Sequence, residues 1–261
     1  MITKIPRHIE AVILDMDGVI WRGAEPIGDL PTIFARLANR GWKVVLATNN
    51  ATRTASQYVD RLHHFGVSVE PQQIINSSMV ASQYLFDRFP QGGPVYVIGE
   101  AGLIEPLEKS GFYQSEEHVL AVIVGMDRYL TYDKLRRATL LIRASAPFIA
   151  TNSDRTFPTP EGLVPGAGAI LAALETACYQ SPIVVGKPSP AMYQIALKRL
   201  CLDPSEILVV GDRPETDIAG AQSIGCHTAL VLSGVTVLEE AHAWQPAPDL
   251  IIADLDSISK I

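Results

Sequence analysis

Ala11-Val12-Ile13-Leu14-Asp15-Met16-Asp17-Gly18-Val19-Ile20 is the stretch that decides the fold. Its apolar run, Ala11 to Leu14, is bounded by a charge and reads as a short strand buried on both faces, as in parallel sheets. In extended chain, residues two apart project to the same side, so Asp15 and Asp17 face one site while Met16 turns away. Gly18 then permits a sharp turn. Asp-Gly is also an ordinary turn pair whose carboxylate bonds nearby backbone, so this stretch alone leaves both readings open. Three later strands that end in the same way favour the chemical one.

Outward from that strand, Leu30, Ile33, Phe34, Leu37 and Ala38 follow the i, i+3, i+4, i+7, i+8 spacing of a helix, with Gly41 placed to end it. Val44 to Ala47 is the next buried strand and runs into Thr48-Asn49-Asn50. Thr54 with Gln57 forms a capping box for a helix reaching about Phe65. Strand, helix, strand, helix is the pattern of a parallel α/β sheet. Residues 78–181 read as a second α/β unit, with strands at Val95–Ile98, Ala121–Val124 and Phe148–Ala150 and helices at Tyr132–Ala144 and Ala167–Cys178. The stretch from Asn152 to Gly168, with Pro158, Pro160 and Pro165, is expected to be irregular and exposed. Its Gly166-Ala167-Gly168 lacks the third glycine of a dinucleotide fingerprint and reads better as a helix start beside Pro165.

The first unit resumes with Ile183 to Gly186, an expected buried strand ending at Lys187, followed by Ser189 as N-cap and Pro190 at the first helical position. Met192, Ile195, Ala196 and Leu200 supply that helix's buried face. Ile207 to Gly211 is another apolar strand and delivers Asp212, with Asp217 shortly after. Thr228–Leu232 and Leu250–Ile252 are expected as outer strands of the same sheet. Residues 1–77 and 182–261 thus form a core and 78–181 an insertion.

The chain has 261 residues, 48% hydrophobic and 19% charged, with a net charge of −7. That acidity, without a run of Lys or Arg, argues against nucleic acid and against a membrane surface as partners. The segment Met1 to Glu10 and the short apolar run after it do not make a signal peptide, and no apolar run reaches spanning length, so a cytoplasmic location is expected. Cys178, Cys201 and Cys226 are too far apart for a zinc-ligand spacing and are expected to be small buried hydrophobes. His63 and His64, adjacent on a helix, point in different directions and belong to a solvated surface.

In an open parallel sheet, ligands bind beyond the carboxyl ends of the strands, near the point where strand order reverses. Four apolar strands are expected to end in reactive groups: Asp15 with Asp17, Thr48 with Asn49, Lys187, and Asp212. Three carboxylates against one lysine repel one another unless a cation joins them, and hard oxygen donors favour Mg²⁺. A hydroxyl, an amide and an ammonium beside such a metal suit the oxygens of a phosphoryl group. One carboxylate can attack phosphorus to give an aspartyl-phosphate, and a second can move the proton of the leaving oxygen and of the attacking water.

These motifs resemble those of the haloacid dehalogenase-like hydrolase superfamily, most closely its NagD-like and 4-nitrophenylphosphatase-like branch. Asp15 to Ile20 resembles the first motif, Ala47 to Asn50 the second, Gly186 to Pro190 the third, and Gly211-Asp212-Arg213 with Thr216-Asp217 the fourth. The resemblance covers nearly the whole chain and implies a Rossmann-like parallel-sheet core with an inserted α/β cap. It implies Asp15 as nucleophile, Asp17 as acid/base, and Thr48, Asn49 and Lys187 as phosphate ligands. It also implies Mg²⁺ held by the Asp15 carboxylate, the Asp17 main-chain carbonyl and Asp212, supported by Asp217. Specificity in such a family depends on the cap, where Met126 and Phe157 are the candidates. The expected activity is Mg²⁺-dependent hydrolysis of a small phosphorylated metabolite. Two rivals use the same residues: a phosphotransferase or mutase, and a non-catalytic sensor of a phosphorylated ligand. The sequence is compatible with a homo-oligomer and does not specify one.

Overall fold

The computed structural model describes residues 8–159 and 161–260; the reading of residues 1–7 and of Pro160 lies outside them. The chain divides into two compact units. One comprises the described residues of Met1–Thr48, Tyr58–Ile75 and Lys187–Ile261, the other those of Asn49–Gln57 and Asn76–Gly186.

The first unit is built on a six-stranded sheet. Ala11–Leu14 is buried at every position and lies between Lys43–Thr48 and Ile207–Gly211, parallel to both. His227–Val231 and Leu250–Ile252 extend one side, and Ile74–Asn76 closes the other. Numbered by their order in the chain, the strands lie 3-2-1-4-5-6. Strand order reverses between Ala11–Leu14 and Ile207–Gly211, so the carboxyl ends of these two strands flank the switch point of a Rossmann-like sheet. Helix Leu30–Asn39 buries Leu30, Ile33 and Leu37, the stripe given by its spacing. In the second unit's segment Asn49–Gln57, the Thr54 capping box forms in full: the Thr54 amide donates to Gln57 Oε1 at 3.0 Å and the Gln57 amide to Thr54 Oγ1 at 3.3 Å.

The second unit carries a five-stranded parallel sheet in the order Ile183–Val184, Phe148–Ala150, Val122–Val124, Gly93–Ile98, Phe112–Gln114. Alternate residues Tyr96, Ile98, Val122, Val124, Phe148 and Ala150 form one core with helices Tyr132–Arg143 and Ala167–Cys178. Intervening residues Val95, Ile123 and Ile149 are buried as well, giving the continuous apolar runs of a sheet covered on both faces.

Several expectations are corrected. Ile183–Val184 pairs with Phe148–Ala150 in the second unit's sheet instead of the core sheet, as a two-residue edge strand with Ile183 exposed. A local apolar run does not specify which of two parallel sheets it joins. The expected irregular stretch contains an antiparallel hairpin, Thr156–Thr159 with Gly162–Pro165, where a two-stranded ribbon leaves edges that tolerate proline. Pro190 precedes the helix, which runs Ala191–Leu200. Cys226 is buried, but Cys178 is intermediate and Cys201 is exposed just past a helix end. Helix Ser77–Phe86 escapes periodicity because it is buried on most of its circumference, and helix Ala101–Lys109 because Pro106 lies inside it. Among the described residues, no helix is long and apolar enough to cross a membrane.

Candidate active site

The register pairing Leu14 with both Val210 and Leu46 brings Asp15 level with Ala47 and Gly211, and the Asp15 amide donates to the Val210 carbonyl at 2.9 Å. Lys187 joins these strand ends. Its Nζ donates to Asp15 Oδ1 at 2.6 Å, to Asp217 Oδ1 at 2.6 Å and to the Ala47 carbonyl at 3.1 Å. Asp217 is brought into reach by a wide helical turn, Pro214–Ile218, in which the Ile218 amide returns to the Arg213 carbonyl; such widened turns recur at functional sites. The Arg213 amide donates to Asp217 Oδ2 at 3.1 Å, and Tyr193 Oη to the Asp217 carbonyl at 3.0 Å.

Asp212 stands beside this pair, and Asp15, Asp212 and Asp217 each offer a carboxylate oxygen within 4.8 Å of the others. Its Oδ2 accepts the Val235 amide at 2.9 Å, and its carbonyl accepts Thr236 Oγ1 at 2.5 Å. Its Oδ1 is buried without a hydrogen-bond partner among the described residues, an expensive arrangement for a carboxylate oxygen unless a cation meets it. Gly18 and Gly234 allow the approach: a Cβ on either would overlap Asp212 Oδ2, and Gly18 also has φ +88°.

The charges point the same way. Burial pushes the Asp15 carboxyl well up; Lys187 opposes that, and Asp217 and Asp212 add to it. Burial works against the Lys187 ammonium, but Asp15 and Asp217 outweigh it and hold the amine protonated well above its ordinary range. Burial, with Asp217 nearby, raises the Asp212 carboxyl to about 7. One ammonium against three carboxylates leaves negative charge that a proton or a metal must balance. The oxygen-only donor set fits a small hard divalent cation.

Asp17 follows two residues after Asp15, and its Oδ1 accepts Trp21 Nε1 at 2.9 Å. Thr48 is buried at the end of its strand. Asn49, next in the chain, is also buried and belongs to the second unit, where its carbonyl accepts Asn152 Nδ2 at 2.8 Å and Ser77 Oγ at 2.5 Å. Met126 is partly exposed beyond Val122–Val124, and Phe157, paired with Val164, is partly exposed in the hairpin. The side chains brought together in the first unit are therefore Asp15, Lys187, Asp212 and Asp217. Trp21, Tyr193 and the Ser233–Thr236 loop were not singled out from sequence. The loop was findable, since it follows the end of a strand neighbouring Ile207–Gly211.

Residues 12–113 match the model of the haloacid dehalogenase-like hydrolase family, and residues 184–258 match a second model described as HAD-hydrolase-like. An acid sugar phosphatase of Staphylococcus aureus (strain USA300) is 34% identical over 251 residues, 96% of each chain. The chain belongs to the haloacid dehalogenase-like hydrolase family. Within that family, a 4-nitrophenylphosphatase from Thermotoga maritima superposes with a TM-score of 0.92 at 30% identity, covering 97% of each chain. A glycerol phosphate phosphatase from Mycobacterium tuberculosis, solved in complex with magnesium, gives 0.90 at 32% identity, over 97% of this chain and 78% of that one. This haloacid dehalogenase-like hydrolase is an enzyme of the phosphatase branch.

Proposed function

We propose that this enzyme is a Mg²⁺-dependent phosphomonoesterase acting on a small phosphorylated metabolite through an aspartyl-phosphate. The observation that carries it is the buried cluster of Asp15, Lys187, Asp217 and Asp212, with an oxygen of Asp212 lacking a partner among the described residues. The magnesium in the related glycerol phosphate phosphatase supports the choice of cation. The Asp15 carboxylate, the Asp17 main-chain carbonyl and Asp212 would hold it, with Asp217 supporting. Bound there, Mg²⁺ would neutralise charge on the phosphoryl group and on the attacking carboxylate.

Asp15 attacks phosphorus, the ester P–O bond breaks, and Asp17 gives its proton to the departing oxygen. Water then attacks the phosphorus of the aspartyl-phosphate and returns a proton to Asp17, releasing inorganic phosphate and restoring the Asp15 carboxylate. Lys187, fixed between Asp15 and Asp217, offsets charge on the phosphoryl oxygens, and Thr48 and Asn49 supply further hydrogen bonds to them. Residues 78–181 act as an inserted cap that selects the substrate's non-phosphate portion, and the setting is cytoplasmic.

Phosphate release across sugar phosphates, nucleotides, phosphoglycolate and pyridoxal phosphate tests the reading. Turnover of a subset, abolished by chelation and restored by Mg²⁺, is expected; full activity in the chelated, metal-free enzyme overturns it.

A further inference from the structure

The proton-transfer aspartate has a partner that the motif does not include. From Met16 the chain turns back on itself: the Ile20 and Trp21 amides both donate to the Met16 carbonyl, at 2.8 and 3.2 Å, and the Gly18 amide to the Trp21 carbonyl at 2.8 Å. The turn returns the Trp21 indole to Asp17, where Nε1 donates to Oδ1 at 2.9 Å. The indole itself is held from several sides. Trp21 is 0% exposed, Tyr58 stacks on it with ring planes 7° apart, and the Arg61 guanidinium sits 4.0 Å from its centroid. Arg61 is in turn tied to the Gly23 carbonyl. A buried indole needs an acceptor for its N–H, and a backbone carbonyl would satisfy it as well as a carboxylate. A cation over the ring polarises the indole and strengthens the N–H as a donor.

We infer that Trp21 is a positioning residue for proton transfer: it fixes the Asp17 carboxylate in the orientation that serves the leaving oxygen, and Arg61 and Tyr58 fix Trp21. The inference rests on Asp17 being the acid of the proposed reaction. A positioned acid contributes ~10²–10⁴ in rate, and only where the leaving group needs a proton. An alkyl phosphate expels a strongly basic alkoxide and needs it; 4-nitrophenyl phosphate expels a stable phenolate and needs it little. A packing role for Trp21 would lower both substrates by one factor.

The test compares kcat/KM for an alkyl phosphomonoester and for 4-nitrophenyl phosphate, since this ratio reports steps up to formation of the phosphoenzyme. Trp21→Phe keeps a ring and removes the N–H. Incorporating 3-benzothienylalanine at position 21 keeps the bicyclic shape and also lacks the N–H, so the measurement stands if Trp21→Phe does not fold. Both replacements are expected to lower the alkyl substrate about tenfold more than the aryl one, a share of the acid's ~10²–10⁴ contribution. Equal losses, or none, overturn the inference. Asp17→Asn is the control: if it spares the alkyl-to-aryl ratio, the assignment of Asp17 fails and takes the inference with it. If Asp17→Asn shifts the ratio and neither replacement at position 21 does, Trp21 alone is wrong.

Discussion

Asp15 and Asp212 separate two effects that a single buried acidic cluster combines, reactivity and charge storage. Replacing Asp15 by Asn keeps shape and removes the attacking charge, so turnover should fall by several orders of magnitude while the circular dichroism spectrum is retained. Near-normal turnover would exclude Asp15 as nucleophile. Asp212 carries a prediction about stability. Its carboxyl is raised from 3.8 to about 7 in the folded chain, so between these values the unfolded state has lost the proton and the folded state keeps it. Stability conferred on the metal-free protein by the neutral form is therefore fully present below about pH 4, declines as pH rises, and is gone above about 7. Asp212→Asn has no such proton to lose. In metal-free thermal melts the variant should gain on the parent as pH rises through that window and level off above it. A difference in melting temperature that does not change with pH would refute the assignment. These acids were legible because each ends an apolar run; Trp21 was not, because nothing in a sequence says that a turn will bring an indole back onto Asp17.

At the scale of elements, the Ser233–Thr236 loop holds Asp212 through one backbone and one side-chain donor. The Val235 amide and the Thr236 hydroxyl hold the residue, and Ser233 Oγ donates to the Gly18 carbonyl at 2.7 Å, linking the loop to the turn after the first strand. A methyl group at Gly234 would occupy the space of Asp212 Oδ2. Gly234→Ala should therefore weaken Mg²⁺ affinity about 10–100-fold, the range for displaced supports of metal ligands, in a titration of activity or of calorimetric heat. Unchanged affinity would show that the loop can retreat at no cost. Most core strands were legible as apolar runs and several helices from spacing or caps, among them the Thr54 capping box and the helix Ala167–Cys178, but the helices Ser77–Phe86 and Ala101–Lys109 were not. Sheet membership was not. Ile183–Val184 has the same apolar character as core strands, and only long-range pairing assigns it to the second unit.

For the whole molecule, the order 3-2-1-4-5-6 explains why motifs distant in sequence meet: the switch point falls between the strands that carry Asp15 and Asp212. The second unit supplies no member of the buried acidic cluster, which supports giving it the choice of substrate. Met126→Ala and Phe157→Ala should change the rank order of kcat/KM across the phosphate panel. Small activated aryl phosphates should suffer least, since they draw least on remote binding energy. A uniform loss over all substrates, or none, would remove these two residues from specificity.

The pairing of Ala11 with Ile207 has a further consequence for biosynthesis. During synthesis the central strand emerges before the second unit, and the neighbour that carries Asp212 emerges only after the whole second unit has been made. Closing so long a loop costs entropy before any contact rewards it, whereas most of the second unit is the continuous segment Asn76–Gly186. The second unit is thus free to assemble on the ribosome first, while Ala11–Leu14, apolar throughout, waits with one edge unfilled. During that interval this apolar strand presents an unpaired edge, the condition under which a chain is open to aggregation.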